Sequence, residues 1–374
     1  MQKTAVISVI LLFLLTACLR GVGFGFSMDD TSFKGDLRLR YQYEKAEDEA
    51  AAAETTRHRE RVRFRLGFET AVSNILNVGM RLASGSDDPR STNQTLENSF
   101  SSKNIHLDRT YLEFVPRHGI SLRGGKFNDA LVSHDDLLWD SDITFEGQAI
   151  GVAMPLADGL LFTVNGGMFL LDETKTSGSD PHMFAAQPTV ALDLGGTLSA
   201  EFGIAYYAFS HVQGAVLDHS AGTNAMSGTA GTLNGAGLRY DYDSVNPSAA
   251  IDFVFEKSDG TGYRVRMIGD FIYNPDAEES GYLAGLGVGH AQTKHPGSWE
   301  VSYTWRRLER DAFLDVFPDS DFYGGKTGVA GHEVVLNYTL AKHFTFGVDY
   351  YRAWKIDGDE DPQDLLQVDW VVKF

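Results

Sequence analysis

The sequence predicts an all-β protein whose strands form a transmembrane antiparallel β-barrel. Three observations support this prediction: short segments alternate apolar and polar residues, short and long connections alternate between them, and the last segment ends on Phe374. Period-two alternation indicates a strand with one oily and one wet face, and alternating connection lengths are typical of outer-membrane barrels. We predict about sixteen strands within residues 28–374.

The composition of the 374 residues agrees with this fold class. The chain contains 39 glycines, 24 phenylalanines and 15 tyrosines, yet its mean hydropathy is only -0.19. A helical membrane protein would be far more hydrophobic, whereas a barrel hides its apolar surface by alternation. The formal net charge of -19 argues against a nucleic-acid partner, which needs a basic surface.

Residues 1–27 resemble a secretory signal peptide. Lys3 supplies the positive start, and the apolar run of residues 5–17 is too short to span a bilayer. Small residues near position 27 suit a general signal peptidase, whereas residues 15–18 resemble a lipobox that would make Cys18 a lipidated N-terminus. Both alternatives stay open. Because Cys18 is the only cysteine, we expect no intrachain disulfide and no zinc or thiol site in the mature chain. No metal or phosphate-binding motif stands out elsewhere, so we also expect no metal and no cofactor.

The alternation is sharpest in residues 59–69. Apolar residues there alternate with four arginines, which a helix would scatter around its surface. The pattern recurs along the chain, less regularly near Ile105 and Thr189. The candidate strands are residues 37–44, 59–69, 76–82, 105–115, 120–127, 143–154, 160–171, 189–198, 201–209, 250–256, 263–273, 282–290, 299–308, 332–340, 344–354 and 366–374.

The connections form two classes. The short links are residues 71–74, 116–119, 155–159, 195–196, 257–260, 294–297 and 341–343. Between them lie the longer polar stretches 85–104, 172–187, 211–248 and 310–331. If the first strand rises from the periplasm, every short link lies on the periplasmic side, as in outer-membrane barrels. A soluble β-sandwich offers no reason for this regularity.

The last candidate strand, residues 366–374, alternates apolar and polar residues and finishes on Phe374. Such a strand resembles the signal by which outer-membrane proteins are recognised for barrel insertion. We therefore expect the outer membrane of a Gram-negative bacterium as the location. The expected partners are the barrel-assembly machinery, the lipid bilayer and lipopolysaccharide.

Three short motifs resemble the bacterial putative porin family. They are LDRTYLE at residues 107–113, RGGK at 123–126 and LWDSD at 138–142. The family consists of sixteen-stranded outer-membrane barrels that are more distantly similar to phosphate-selective and alginate-export porins. The resemblance implies passive passage of solutes without catalysis, fixes no substrate, and is compatible with a homotrimer.

If the apolar positions face lipid, charged residues line the lumen. The expected pore-lining residues are Arg38, Arg40, Arg59, Arg61, Arg63, Arg65, Arg81, Glu113, Glu146 and Asp270. One hypothesis is that the arginines form a positive stripe that lowers the barrier for anions. The other is that they pair with wall acids such as Glu44 and Glu69 and stiffen the barrel. The acidic chain also leaves cation preference at the mouth open.

The segment 133–142 lies where the third external loop is expected. In many porins that loop folds inward and narrows the pore, and a solvated outer loop is the alternative. The candidate constriction residues are His134, Asp135, Asp136, Trp139, Asp140 and Asp142.

Together these observations predict a channel for passive diffusion of small hydrophilic solutes or ions through a water-filled lumen. Two alternatives stay open. A barrel-based hydrolase is suggested only by His134 beside Asp135 and Asp136. A structural or adhesive barrel would follow if the segment 211–248 plugged the lumen.

Overall fold

The computed structural model describes residues 30–175, 178–228, 236–258 and 260–374. The predicted signal peptide, including Cys18, lies outside these residues. Within them, no helix combines the length and the apolar character needed to cross a bilayer.

The described residues form nineteen strands and one short 3₁₀ helix, Tyr323–Gly325. In chain order the strands are β1 (Thr31–Asp48), β2 (Ala53–Ser73), β3 (Leu76–Ser84), β4 (Gln94–Thr95), β5 (Ile105–Arg117), β6 (Ile120–Phe127), β7 (Phe145–Ala157), β8 (Leu160–Leu170), β9 (His182–Leu194), β10 (Leu198–Ser210), β11 (Met226–Ser227), β12 (Gly237–Leu238), β13 (Ser244–Glu256), β14 (Gly262–Asn274), β15 (Glu279–His290), β16 (Trp299–Leu308), β17 (Val329–Ala341), β18 (Phe344–Lys355) and β19 (Gln363–Lys373).

Sixteen of these strands form one closed antiparallel barrel, which confirms the predicted fold and strand count. Closure occurs where β1 pairs with both β2 and β19, so that Leu39 lies between Val62 and Trp370. Of the remaining strands, β4 extends the pairing of β2, and β11 and β12 form a small hairpin inside a connection. A closed barrel leaves no unpaired sheet edge to face lipid.

The barrel wall follows the predicted period of two. On β1, Leu37 and Leu39 are exposed on the outer face, whereas Arg40 and Gln42 are buried inside. The alternating side chains of a strand point to opposite faces of a sheet, so the apolar residues collect on the lipid side.

The connections divide between the two ends of the barrel as predicted. One end, here called the turn end, carries connections 74–75, 118–119, 158–159, 195–197, 257–261, 291–298 and 342–343. The other, called the loop end, carries loop 1 (49–52), loop 2 (85–104), loop 3 (128–144), loop 4 (171–181), loop 5 (211–243), loop 6 (275–278), loop 7 (309–328) and loop 8 (356–362).

One predicted strand is misplaced. Residues 189–198 were expected to form a strand, but β9 runs from His182 to Leu194 and the chain then turns. The turn occurs because Gly195 and Gly196 both adopt positive φ angles, of 66° and 74°. The strand also passes through Pro188, which lacks a backbone N–H and normally argues against an interior strand position.

Loops 2, 3, 5 and 7 turn into the barrel and pack together at the loop end. The apolar side chains of loops 3, 5 and 7 join inward residues of β6 to β16 in one hydrophobic cluster, in which Leu137, Phe313 and Leu314 are fully buried. The lumen is therefore divided unequally. The side formed by β7 to β16 is filled by packed loops, while charged side chains line the side formed by β1, β2, β3 and β19.

Candidate functional site

Seven arginines lie on the lumen side of β1, β2 and β3. We call this set the arginine face: Arg38, Arg40, Arg59, Arg61, Arg63, Arg65 and Arg81. The register places Arg40 opposite Arg61 and Arg38 opposite Arg63, so that like charges face each other directly. Such an arrangement needs counter-charges, water or a passing anion to be stable.

Carboxylates neutralise the middle of the arginine face. Asp36 binds Arg63 at 2.9 Å and Arg65 at 2.6 Å, and Asp142 of loop 3 binds Arg65 at 3.1 Å. Arg40 is held by Asp369 of β19 at 2.7 Å and by Asp321 of loop 7 at 2.9 Å.

The two acids suggested as partners from the sequence differ in what they contact. Glu44 binds Arg59 at 3.1 Å. Glu69 contacts Lys34 at 3.5 Å and accepts a hydrogen bond of 3.1 Å from the Tyr111 hydroxyl, not from the arginine face. Pairing with wall acids therefore accounts for part of the arginine face only.

Towards the loop end the arginine face has spare hydrogen-bond donors. Within the described residues no carboxylate lies within ion-pair distance of Arg61, which donates instead to Gln42 at 3.2 Å and Ser91 at 3.3 Å. The Nε atoms of Arg38, Arg59 and Arg61 are buried and have no acceptor there. An unpartnered buried donor is costly, so these groups are suited to meet solvent or an anion.

The three acids predicted to line the pore have different positions. Glu113 faces inward and accepts hydrogen bonds from Arg123 at 2.9 Å and Ser121 at 2.7 Å. Asp270 is also inward and buried, and it accepts a hydrogen bond from Asn246.

The position of Glu146 differs from the predicted one. It has the same strand parity as Ile150 and Met154, which are 43% and 41% exposed on the outer face, and it pairs there with Lys126. The inward position beside it belongs to Phe145, whose ring packs against Trp139 at 5.0 Å. The prediction was wrong because the alternation counted from Ile150 and Met154 places Glu146 on the outer face, and the packing of Phe145 against Trp139 agrees with that assignment.

Loop 3 lies inside the barrel and packs against loop 7. The Trp139 ring packs against the rings of Phe317 and Phe313, with centroid distances of 4.7 Å and 5.3 Å. Its Nε1 donates a hydrogen bond of 3.2 Å to the Tyr207 hydroxyl. The backbone N–H of Asp140 donates to the carbonyl of Phe317 at 2.8 Å. The two ring contacts, the indole hydrogen bond and the backbone hydrogen bond together fix loop 3 across the lumen.

A second attachment of loops 3 and 7 centres on Arg306 of β16. Its guanidinium binds Asp136 of loop 3 at 3.0 Å and Asp319 of loop 7 at 3.4 Å, and it also binds Glu333 of β17. Only 4% of the Arg306 side chain is exposed. We call this group the Arg306 cluster. Arg306 is not among the pore-lining residues predicted from the sequence, although it has the same inward parity as Glu300 and Thr304.

The remaining candidates from loop 3, His134 and Asp135, line a cavity of about 830 Å³ between loop 3 and the turn end, together with Arg109 and Glu333. Nε2 of His134 and Oδ2 of Asp135 are buried without a hydrogen-bond partner in the described residues. A cavity of this size with polar groups in its wall has room for several water molecules.

Two aspartates of loop 3 differ in their protonation. Burial raises the pKa of Asp140 to about 8, assisted by the negative charges of Asp142 and Asp321. Burial also disfavours the charged form of Asp142, but Arg63, Arg65 and Arg38 outweigh it and the pKa of Asp142 is lowered. At neutral pH, Asp140 is therefore mostly neutral while Asp142 carries the charge that binds Arg65.

This difference predicts a pH dependence. Since the pKa of Asp140 is raised in the docked loop, docking weakens as the pH rises from the ordinary aspartate pKa of 3.8 to about 8 and does not change further above that value. Single-channel recordings between pH 6 and 9.5 should show conductance rising up to about pH 8 and staying level beyond it. Asp140→Asn should abolish this rise, whereas Asp87→Asn, in the exposed part of loop 2, should retain it. An unchanged pH profile in Asp140→Asn would contradict the assignment.

Loop 5 is tied to loop 7 by two buried aspartates. Asp315 accepts backbone hydrogen bonds from Thr223 at 2.6 Å and Asn224 at 3.1 Å. Asp311 accepts a hydrogen bond of 2.6 Å from the Tyr242 hydroxyl. These contacts make loops 5 and 7 one packed unit at the loop end.

Comparison with known proteins places the chain among porins. The sequence profile of a family described as putative porin matches residues 44–235 and 236–374. No curated protein matches the chain.

Among solved structures, the outer membrane channel DcaP of Acinetobacter baumannii is 14% identical with a TM-score of 0.52, and the match covers 94% of this chain and 100% of that one. OprB of Pseudomonas putida is 12% identical with a TM-score of 0.58, covering 92% and 94%. OmpF of Salmonella typhi is 10% identical with a TM-score of 0.53, covering 93% and 99%. At these identities the likeness concerns the fold.

Proposed function

Because the chain belongs to the putative porin family, we propose that it lets small hydrophilic solutes, preferentially anions, diffuse passively past the arginine face. The protein is a channel of the Gram-negative outer membrane and not an enzyme. Its turn end is periplasmic and its loop end extracellular. The solute, the anion preference and the role of the arginine face are the proposed part.

The spare donors of the arginine face carry this proposal. Asp36, Asp142, Asp321 and Asp369 neutralise its middle, whereas the side-chain hydrogen-bond acceptors of Arg61 among the described residues, Gln42 and Ser91, are neutral. A guanidinium in a narrow lumen acts at short range, where a unit charge about 4 Å away contributes roughly 1 to 4 kcal/mol at the dielectric of water or of a protein surface. This local term outweighs the net charge of -19, which is spread over the whole chain.

Ion selectivity tests the proposal. Purified protein in a planar bilayer under a potassium chloride gradient should give a reversal potential of the sign expected for chloride flow. Arg61→Gln should lower the chloride-to-potassium permeability ratio by about fivefold, the equivalent of roughly 1 kcal/mol. Arg352→Gln is the matched control, because Arg352 lies on β18 with 49% of its side chain exposed and pairs with Asp364. Cation selectivity in the unmodified protein would overturn the proposed preference.

A sealed barrel is the second candidate, and one observation favours it. Loops 5 and 7 pack tightly through Asp311 and Asp315 and fill the extracellular end of the β7 to β16 side. The two functions differ in the bilayer experiment, since a sealed barrel inserts without stepwise increases in current. Deletion of residues 214–238 should then open it, whereas in our proposal the intact protein already conducts.

The partners fit the same proposal. The outer face of β19, with Trp370 and Val372 exposed, and Phe374 beyond it form an apolar band that we propose is recognised by the barrel-assembly machinery. Lipid and lipopolysaccharide would surround the barrel, and a homotrimer is the assembly that we propose for it. Cross-linking in native outer membranes would detect that trimer.

A further inference from the structure

A separate cavity lies inside the barrel near the turn end, below the middle of the arginine face. Its volume is about 330 Å³, within the usual range for small-ligand sites. Five cationic side chains line it, against the two carboxylates of Asp36 and Glu69. The cationic residues are Lys34, Arg65, Arg81, Arg109 and Lys373. We propose that this cavity is a binding site for a small oxyanion, a solute bearing a carboxylate or phosphate group.

The strongest support is a pair of arginine donors without acceptors. Arg81 Nη2 and Arg109 Nε are buried and have no hydrogen-bond partner among the described residues. Both arginines share one counter-ion, Asp108, which binds Arg81 Nε and lies 3.7 Å from Arg109 Nε. Two guanidinium groups with one carboxylate leave one positive charge uncompensated at the cavity wall.

A bulge in the wall brings these groups together. The pairing of β3 with β5 shifts by one residue, so that Arg81 pairs with Arg109 while Leu82 pairs with Leu107. The extra residue is Asp108, which is buried on the inside next to Arg109. Bulges aim side chains in this way where a regular strand would send neighbours to opposite faces.

A glycine in the wall of the cavity leaves room for a ligand. Gly67 lines it without a side chain, and a Cβ there would lie 2.7 Å from the carbonyl oxygen of Met80. The Tyr111 ring covers Gly79, where an added Cβ would come within 2.3 Å of the ring. The hydroxyl of Tyr111 is held by Glu69 at 3.1 Å, so the ring forms a fixed side of the cavity.

The chemistry of this set matches an oxyanion. A guanidinium offers a planar fork of N–H donors to two oxygens of a carboxylate or phosphate, and such charge-assisted hydrogen bonds are stronger than neutral ones. Arg109 also lines the larger cavity beneath loop 3. A solute that has passed the arginine face would therefore meet Arg109 before it leaves at the periplasmic turn end.

This inference rests on the proposed channel, and one recording tests the two separately. Chloride current through the wild type is measured first, and inorganic phosphate or succinate is then added at constant ionic strength. We expect each oxyanion to reduce the chloride current in a saturable way. Absence of chloride current would contradict the channel itself. A chloride current that the added oxyanions do not reduce at constant ionic strength would overturn the binding site. The free N–H donors of Arg81 and Arg109 would then bind water only.

Variants locate the site. Arg109→Gln should raise the apparent dissociation constant for phosphate by about tenfold, the usual cost of losing a hydrogen bond to a charged group, with the block measured relative to the variant's own chloride current. Arg123→Gln is the control, because Arg123 is inward but already held by Glu113.

If Arg109→Gln did not fold, as judged by heat-modifiable gel mobility, the wild-type titration would still decide. Equal effects of both variants would overturn the assignment to Arg109. A response to succinate but not phosphate would identify carboxylates as the ligand class.

Discussion

Arg306→Gln should detach loops 3 and 7 from the barrel wall and raise the single-channel conductance. The substitution leaves Asp136, Asp319 and Glu333 without their shared counter-charge in a site where the Arg306 side chain is 4% exposed. Removal of one partner from a buried ion pair typically costs about 3 to 5 kcal/mol, because the remaining charge is left unpaired. The three carboxylates would therefore repel each other or take up protons, and docking of both loops would weaken.

Arg307→Gln is a closely matched control. Arg307 is the next residue of β16, points outward, and pairs with Glu309 with 35% of its side chain exposed. We expect that variant to keep the wild-type conductance, since exposed ion pairs contribute little. A wild-type conductance in folded Arg306→Gln would show that the Arg306 cluster does not hold the loops.

The sequence was sufficient to predict the barrel wall. Lipid contact imposes a strict rule on every second residue, so Leu39 and Arg40 could be assigned to opposite faces without any long-range information. The connection lengths then placed the turns at one end. The same rule assigned the seven members of the arginine face to the inner side of β1, β2 and β3.

The interior could not be predicted in the same way. The partner of Asp136 is Arg306, and the partner of Asp142 is Arg65, which are distant in sequence. No local pattern reports such contacts, because loops pack by shape and charge and not by a repeat. The sequence indicated an inward third loop only through the resemblance, and it gave no sign that loop 7 joins it.

Local irregularity limits the period-two rule. Asp108 and Arg109 are neighbours that both face inward, since a bulge interrupts the alternation there. A period-two rule fails wherever a strand gains a residue in this way. The inward assignment of Glu146 was a different error, because the rule itself places Glu146 on the outer face with Ile150 and Met154.

Labelling of a single cysteine in the lumen should block the current almost completely. The one cysteine of the sequence, Cys18, lies in the predicted signal peptide, so Arg61→Cys introduces the only free thiol expected in the mature chain, on the arginine face. An anionic methanethiosulfonate reagent would form a mixed disulfide there with release of methanesulfinate, and would thereby add volume and a negative charge at the position of the Arg61 guanidinium. Both changes oppose anion passage through the lumen.

Two proteins serve as controls. The wild type tests any effect of the reagent itself, and Phe100→Cys places a thiol in loop 2 at a residue whose side chain is fully exposed. Mass spectrometry establishes that both thiols are labelled. Labelled Phe100→Cys should conduct like the wild type.

The decisive measurement is the current through Arg61→Cys before and after this labelling. If solutes cross through the lumen beside the arginine face, the current should fall in discrete steps and return when a reducing agent removes the label. A fully labelled Arg61→Cys protein with unchanged current would contradict a path along the arginine face.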